Sequence, residues 1–270
     1  MKLRLITIFF LLLWIVHPVC ASFNITTQES PFPVSVGEEI PAAVFIGDIN
    51  GNGLGEILVE AYGNLFLYDS STGMVNTISP LQSAHHFSVM KMPNPVAGNI
   101  AGDGKLEIVF GDKAVQKLYV WDSNGTLITG FPMTLAGDIY STPALADIDG
   151  DGLLEIAIGC EGNMVYLIDG NGVIFPNWPV VIGGGVHSQP AFGDIDGDGE
   201  LEIVVTAQDN KVYAFNVDGS NVTGWPQSVS GFEVVLKYTS PALGDIDNDG
   251  EDEVVVATTV EGNLYSGKVI

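Results

Sequence analysis

The residues best suited to do chemistry are carboxylates in short, glycine-rich clusters that recur along the chain. The fullest is Asp194-Ile195-Asp196-Gly197-Asp198-Gly199-Glu200-Leu201-Glu202. Carboxylates at its positions 1, 3 and 5 are close enough in a tight turn to surround one cation. Glycine at position 6 permits the reversal that turns backbone oxygens inward. Position 7 then offers a carbonyl, and the glutamate at position 9 closes the shell. Hard oxygen donors in this number suit Ca²⁺, whereas Mg²⁺ demands stricter octahedral geometry. Zinc calls for Cys or His, which the loops lack. The pattern is not an EF-hand, which needs Glu at position 12; here that position is Val59, Phe110, Ile158, Val205 or Val256, each continuing an apolar strand.

Five such loops span 48–56, 99–107, 147–155, 194–202 and 245–253, and their first positions lie 47 to 51 residues apart. Loops three, four and five carry full ligand sets: Asp147, Asp149, Asp151 and Glu155; Asp194, Asp196, Asp198 and Glu202; Asp245, Asp247, Asp249 and Glu253. Loop one keeps Asp48 and Glu56 but has Asn50 and Asn52, so a weaker site is expected. Loop two has Asn99 and Ala101 and retains Asp103 and Glu107, so it is expected to be weak or empty. A solvated acidic turn is the plain alternative for any one loop, since Asp and Gly favour turns. Recurrence at fixed spacing, with glutamate at position 9 every time, argues against it. Crowded carboxylates also oppose folding unless a cation neutralises them.

A period near 50 residues falls in the range of propeller blades. Each unit reads as four short strands. The first ends at the acidic loop (Pro190-Ala191-Phe192-Gly193) and the second follows it (Leu201-Glu202-Ile203-Val204-Val205). The third carries Phe66, Tyr119, Tyr166, Tyr213 or Tyr265. The fourth begins near Phe131-Pro132, Trp178-Pro179 or Trp225-Pro226, with Ser79-Pro80 as the odd member. Turn signals such as Asn124-Gly125, Asp169-Gly170 and Asp218-Gly219 separate strands three and four. No segment beyond the N-terminal stretch has helical periodicity, so the chain is expected to be all-β. The fifth repeat stops at Ile270 after its third strand, while Phe32-Pro33-Val34-Ser35-Val36 matches a fourth strand. The expectation is a ring of five four-stranded blades, closed by that N-terminal strand pairing with the last blade. The alternative is a fragment of a larger propeller.

The string from Gly193 to Val205 resembles the FG-GAP and VCBS repeats of integrin α-subunit propellers and of many bacterial and archaeal surface proteins. The resemblance covers about residues 32–270. It implies calcium in the loop joining strands one and two, on one face of the ring, and a ligand surface on the opposite face. Two departures stand out: the family's propellers usually have more than five blades, and position 9 here is Glu where Asp is frequent.

Residues 1–21 read as a signal peptide. Lys2 and Arg4 precede an apolar run from Leu5 to Val16, and small residues suit cleavage after Ala21. An uncleaved anchor is the alternative and the one route to a membrane. Residues 22–270 form the propeller, with Cys160 as their one cysteine, so no intrachain disulfide forms and a buried structural thiol is expected. The net charge of −24, with no basic cluster, gives no support to nucleic-acid binding or to docking on anionic lipid. Asn24, Asn124 and Asn221 head N-glycosylation patterns.

Seven residues before each loop stand Pro41, Met92, Tyr140, His187 and Tyr238, expected to ring the channel mouth on the ligand face. They either contact a ligand or plug the channel. His85 and His86 are adjacent and would point to opposite faces of a strand. His187 has no evident Ser or Cys partner in the sequence, so no catalytic residue is assigned. The chain is therefore expected to be a secreted or cell-surface calcium-binding module for adhesion or scaffolding, with an extracellular protein or glycan as partner. The alternatives are a lectin or a calcium-dependent polysaccharide-active enzyme on the same fold.

Overall fold

The computed structural model describes residues 44–61, 64–80, 93–229, 234–235, 239–260 and 263–269. Every described element is a strand, and no helix among the described residues is long and apolar enough to cross a membrane. The strands form five antiparallel sheets. Blade one holds β1 (Phe45–Gly47), β2 (Glu56–Ala61), β3 (Asn64–Asp69) and β4 (Met74–Pro80). Blade two holds β5 (Val96–Gly98), β6 (Glu107–Asp112), β7 (Lys117–Trp121) and β8 (Met133–Thr134). Blade three holds β9 (Ala144–Ala146), β10 (Glu155–Cys160), β11 (Met164–Ile168) and β12 (Val180–Val181). Blade four holds β13 (Ala191–Gly193), β14 (Glu202–Thr206), β15 (Lys211–Phe215) and β16 (Gln227–Ser228).

The first four sheets are simple meanders, with neighbours in chain order. The fifth departs from them. It holds β17 (Val234–Val235), β18 (Ala242–Gly244), β19 (Glu253–Val260) and β20 (Asn263–Val269). Here β18 pairs with the start of β19, β17 with its far end, and β20 runs along its other edge. The segment 32–36, expected to close the ring, lies outside the described residues, as do the expected signal peptide 1–21 and Asn24.

The second strands of blades two, three and four are buried along their whole length. The reason is that each sheet packs against a neighbour on both faces, and alternate side chains serve two different cores. Ile156, Ile158 and Cys160 join the core shared by blades two and three, whereas Ala157 joins the one shared by blades three and four. Ile203 and Val205 face blade three, and Val204 faces blade five. Blades one and two share a fourth core built on Leu58, Leu65, Ile108, Phe110 and Trp121. A continuous apolar run is what a strand buried on both faces requires. Cys160 is a free, buried thiol of that kind, and burial pushes its pKa up, away from the reactive thiolate.

The aromatic-proline segments stitch successive blades together. Trp178 of blade three meets Phe215 of blade four edge to face, with centroids 5.8 Å apart, and its Nε1 donates to Val217 O at 2.8 Å. The third-strand tyrosines hold the connectors in place: Tyr166 Oη accepts from Ala136 N at 3.1 Å, and Tyr213 Oη from Gly183 N at 2.9 Å. Tyr213 also donates to Asp209 Oδ2 at 2.6 Å, and burial together with that acceptor pushes its phenol up to about 12. Near the start of the first strands, a polar belt crosses from blade to blade. Asn94 N donates to Thr142 Oγ1, Ser141 Oγ to Ser188 O, and Gln189 N to Ser240 Oγ.

Candidate metal centre

Each acidic loop is the connection of the first hairpin in its blade. Its position 9 glutamate is always the first residue of the second strand, opposite a glycine or alanine: Gly47 to Glu56, Gly98 to Glu107, Ala146 to Glu155, Gly193 to Glu202 and Gly244 to Glu253. The small partner leaves room at the root of the loop for the glutamate and for a neighbouring blade. Leu145 and Leu154 of blade three, for example, fill the space beside Gly98.

One oxygen of every root glutamate is committed to the loop itself. Oε2 of Glu56, Glu107, Glu155, Glu202 and Glu253 accepts from the position 2 amide at 2.7–3.0 Å. The position 1 carboxylates of Asp147 and Asp194 each accept from the amides of positions 4 and 6. Those amides belong to Gly150 and Gly152, and to Gly197 and Gly199, whose φ values between +76° and +91° suit glycine. Loop five meets the same need at position 4 with Asn248 at φ +64°. In all five loops the position 5 side chain accepts from the position 7 amide: Asn52, Asp103, Asp151, Asp198 and Asp249.

Positions 1, 3 and 9 converge. One oxygen from each of Asp147, Asp149 and Glu155 lies within 4.8 Å of the others, and the same holds for Asp194, Asp196 and Glu202 and for Asp245, Asp247 and Glu253. Oxygens bound to Ca²⁺ at about 2.4 Å stand at most about 4.8 Å apart, so each triad fits around one such ion. Of the position 5 aspartates expected as ligands, none belongs to these triads. Asp151 lines a cleft with Asp149, Glu155 and Asp169, between loop three and the next turn of its blade. In loop one, Glu56 is fully buried and its Oε1 has no hydrogen-bond partner. A buried carboxylate oxygen left this way asks for a cation, and Asp48 and Asn50 lie beside it on the same loop. Loop two, with Ala101 at position 3, forms no such triad among the described residues.

Charge crowding is visible in the titration behaviour. Burial, followed by the charges of Asp149, Asp151 and Asp147, raises the Glu155 carboxyl to about 7. Burial, followed by Asp196, Asp198 and Asp194, does the same to Glu202. Asp247 is pushed up chiefly by Asp249 and then by Glu253. In the calcium-free chain, Glu155 and Glu202 keep their protons when folded up to about pH 7 and lose them near 4.5 when unfolded. Their contribution to stability is therefore fully present below about pH 4.5 and is lost as pH rises through about 7. A calcium ion held by these triads would need the ionised form, so any affinity at loops three and four should rise about tenfold per pH unit up to about pH 7 and then level off. Calcium titrations between about pH 5.5 and about pH 7.5 check this; equal affinities across the range would contradict it.

The residues expected on the opposite face, and the adjacent pair His85 and His86, divide by what is described. Pro41, His85, His86, Met92 and Tyr238 lie outside the described residues. Tyr140 and His187 come together, stacked with centroids 4.1 Å apart. Lys113 Nζ sits 4.2 Å from the Tyr140 ring centre on the other blade. His187, only 1% exposed, pairs through Nε2 with Glu161, and Gln208 Nε2 donates to Glu161 Oε2 at 2.8 Å. The participation of Lys113, Glu161 and Gln208 went unread in the sequence. They occupy the turn between strands two and three in successive blades, and the register of the repeats would have brought them out.

The geometry defines a class: a propeller-like array of four-stranded sheets with acidic oxygen-donor loops at one end. The FG-GAP-like repeat model matches the chain twice, over residues 99–158 and 147–205. Residues 99–205, about two fifths of the chain, thus carry FG-GAP-like repeats. Among solved structures, BBS1N in complex with ARL6DN aligns with TM-score 0.52 and 13% identity, over 86% of this chain and 67% of its own. Saccharomyces cerevisiae Sqt1 aligns with TM-score 0.55 and 14% identity, over 82% of this chain and 57% of its own. Both are propeller-like, and at such identities the likeness concerns the fold alone. No curated protein is significantly similar in sequence.

Proposed function

We propose that this chain is a secreted or cell-surface propeller module whose acidic loops hold structural calcium and whose opposite face binds an extracellular protein or glycan. The observation that carries the calcium reading is the convergence of positions 1, 3 and 9 in three loops, each within 4.8 Å. All donors are hard oxygens, and the root glutamates are held by the backbone so that their remaining oxygen is available to an ion. Export is supported by the basic-then-apolar N-terminal segment and by the extracellular setting in which FG-GAP repeats occur. Cations bound in the loops then take the stabilising role that disulfides play in many exported domains.

A binding or scaffold role is favoured over a polysaccharide-active enzyme by the state of His187. Its ring is covered by Tyr140 and its Nε2 is engaged by Glu161, an arrangement suited to locking connectors together. The half-buried Lys113 and Glu161 beside that lock are what a partner would meet. Calorimetric titration of the chelated chain with calcium tests the metal reading. Loops three, four and five should bind in about the 10⁻⁴ to 10⁻³ M range of extracellular modules, loop one more weakly, and loop two not at all. Installing Asn99→Asp with Ala101→Asp should add a site. Absence of calcium binding into the millimolar range would end the proposal.

A further inference from the structure

Three pairs of successive acidic loops, one and two, two and three, and four and five, are bonded to each other. Leu106 N donates to Ile49 O at 3.1 Å, Leu154 N to Asn99 O at 3.3 Å and Asp252 N to Asp194 O at 2.7 Å. Each donor is position 8 of its loop, immediately before the root glutamate. Each acceptor is position 1 of the preceding loop, or position 2 in the case of Ile49. The bond thus ties the root ligand of one loop to the first ligand of the one before it.

The tie is closest between loops four and five, which both carry a complete triad. Besides the 2.7 Å bond, Glu251 Cγ stands 3.0 Å from where a Cβ on Gly197 would lie, and Asp252 Oδ2 stands 2.5 Å from the same point on Gly193. Loop three is placed differently. Its position 8 amide is spent on loop two, where Ala101 has displaced a ligand, and among the described residues Leu201 N makes no corresponding bond back to loop three.

We propose that loops four and five bind calcium as a positively coupled pair, while loop three binds independently of them. The proposal rests on the calcium reading above. An ion in loop five fixes Glu253 and, one residue away, the Asp252 amide. That amide holds the Asp194 carbonyl, so the carboxylate of Asp194 is already placed when the second ion arrives. Ordering that would oppose both binding events then opposes mainly the first, which makes the second tighter. Repulsion between the two ions acts the other way but is screened over about 8 Å at physiological ionic strength.

Hydrogen exchange with mass spectrometry on the full chain reads each loop separately as calcium is raised. Asp247→Ala, which removes a loop five ligand, should move the calcium midpoint for protection of residues 194–202 upward by at least about fivefold, a typical coupling. The midpoint for loop three should stay put. Asp149→Ala should weaken loop three and leave loops four and five unchanged. Folding of each variant is checked by protection of β14 and β10, with Asp247→Asn as the milder substitute. If the loop four midpoint is the same in the parent and in the Asp247 variants, the coupling is wrong while the calcium reading stands. A shift of loop four in Asp149→Ala would remove the claimed independence. If no loop gains protection from calcium in the parent, both readings fall together.

Discussion

In calcium the chain should melt at least about 10 °C higher than in chelator. A ligand at 100 times its Kd adds about 2.7 kcal/mol per site, so three saturated loops contribute on the order of 8 kcal/mol. For a domain of about 250 residues, each kcal/mol moves the midpoint by about 2–4 °C. The effect should be large because the loops oppose folding when empty: burial and neighbouring charges raise Glu155 and Glu202 to about 7, so ionising them at neutral pH costs stability. A sharper form of the test uses the combined variant Asp149→Asn, Asp196→Asn and Asp247→Asn. It should lose most of the calcium response and yet be more stable than the parent in chelator, since it relieves repulsion within each triad. Calorimetric or circular-dichroism melts of both proteins, with and without calcium, decide the matter. Coincident parent melts in the two buffers would remove calcium from the account.

The second large effect concerns the seams between blades. Trp178→Ala should destabilise the calcium-saturated chain by about 3–5 kcal/mol, the usual loss for a truncated core aromatic. Trp178 is 7% exposed, packs edge-on against Phe215 and donates to Val217 O. Its removal opens a cavity between blades three and four and leaves a part-buried carbonyl without its donor. Trp178→Phe keeps most of the packing and should lose only the part due to the hydrogen bond and the smaller ring, about 1–2 kcal/mol. Denaturant unfolding at saturating calcium reads both. A Trp178→Ala loss below about 1 kcal/mol would mean that the blades are held together elsewhere.

Much of this molecule is written locally. The spacing of Asp, Gly and Glu in each loop determines a turn with a root glutamate, because backbone amides within nine residues satisfy those carboxylates. The roughly 50-residue recurrence and the strand-length apolar runs determine an all-β repeat architecture, and Tyr119, Tyr166, Tyr213 and Tyr265 fall on third strands as their spacing implies. Tertiary structure decided what no single repeat can encode. It split Ile156 and Ala157 between two cores, since a sheet packed on both faces has two apolar neighbours. It drew positions 1, 3 and 9 together, while the position 5 carboxylate caps its own turn two residues on. It also placed Lys113, Tyr140, Glu161, His187 and Gln208 in one cluster, and bonded Asp252 to Asp194, because residues about 20 to 60 positions apart meet only when successive blades stack.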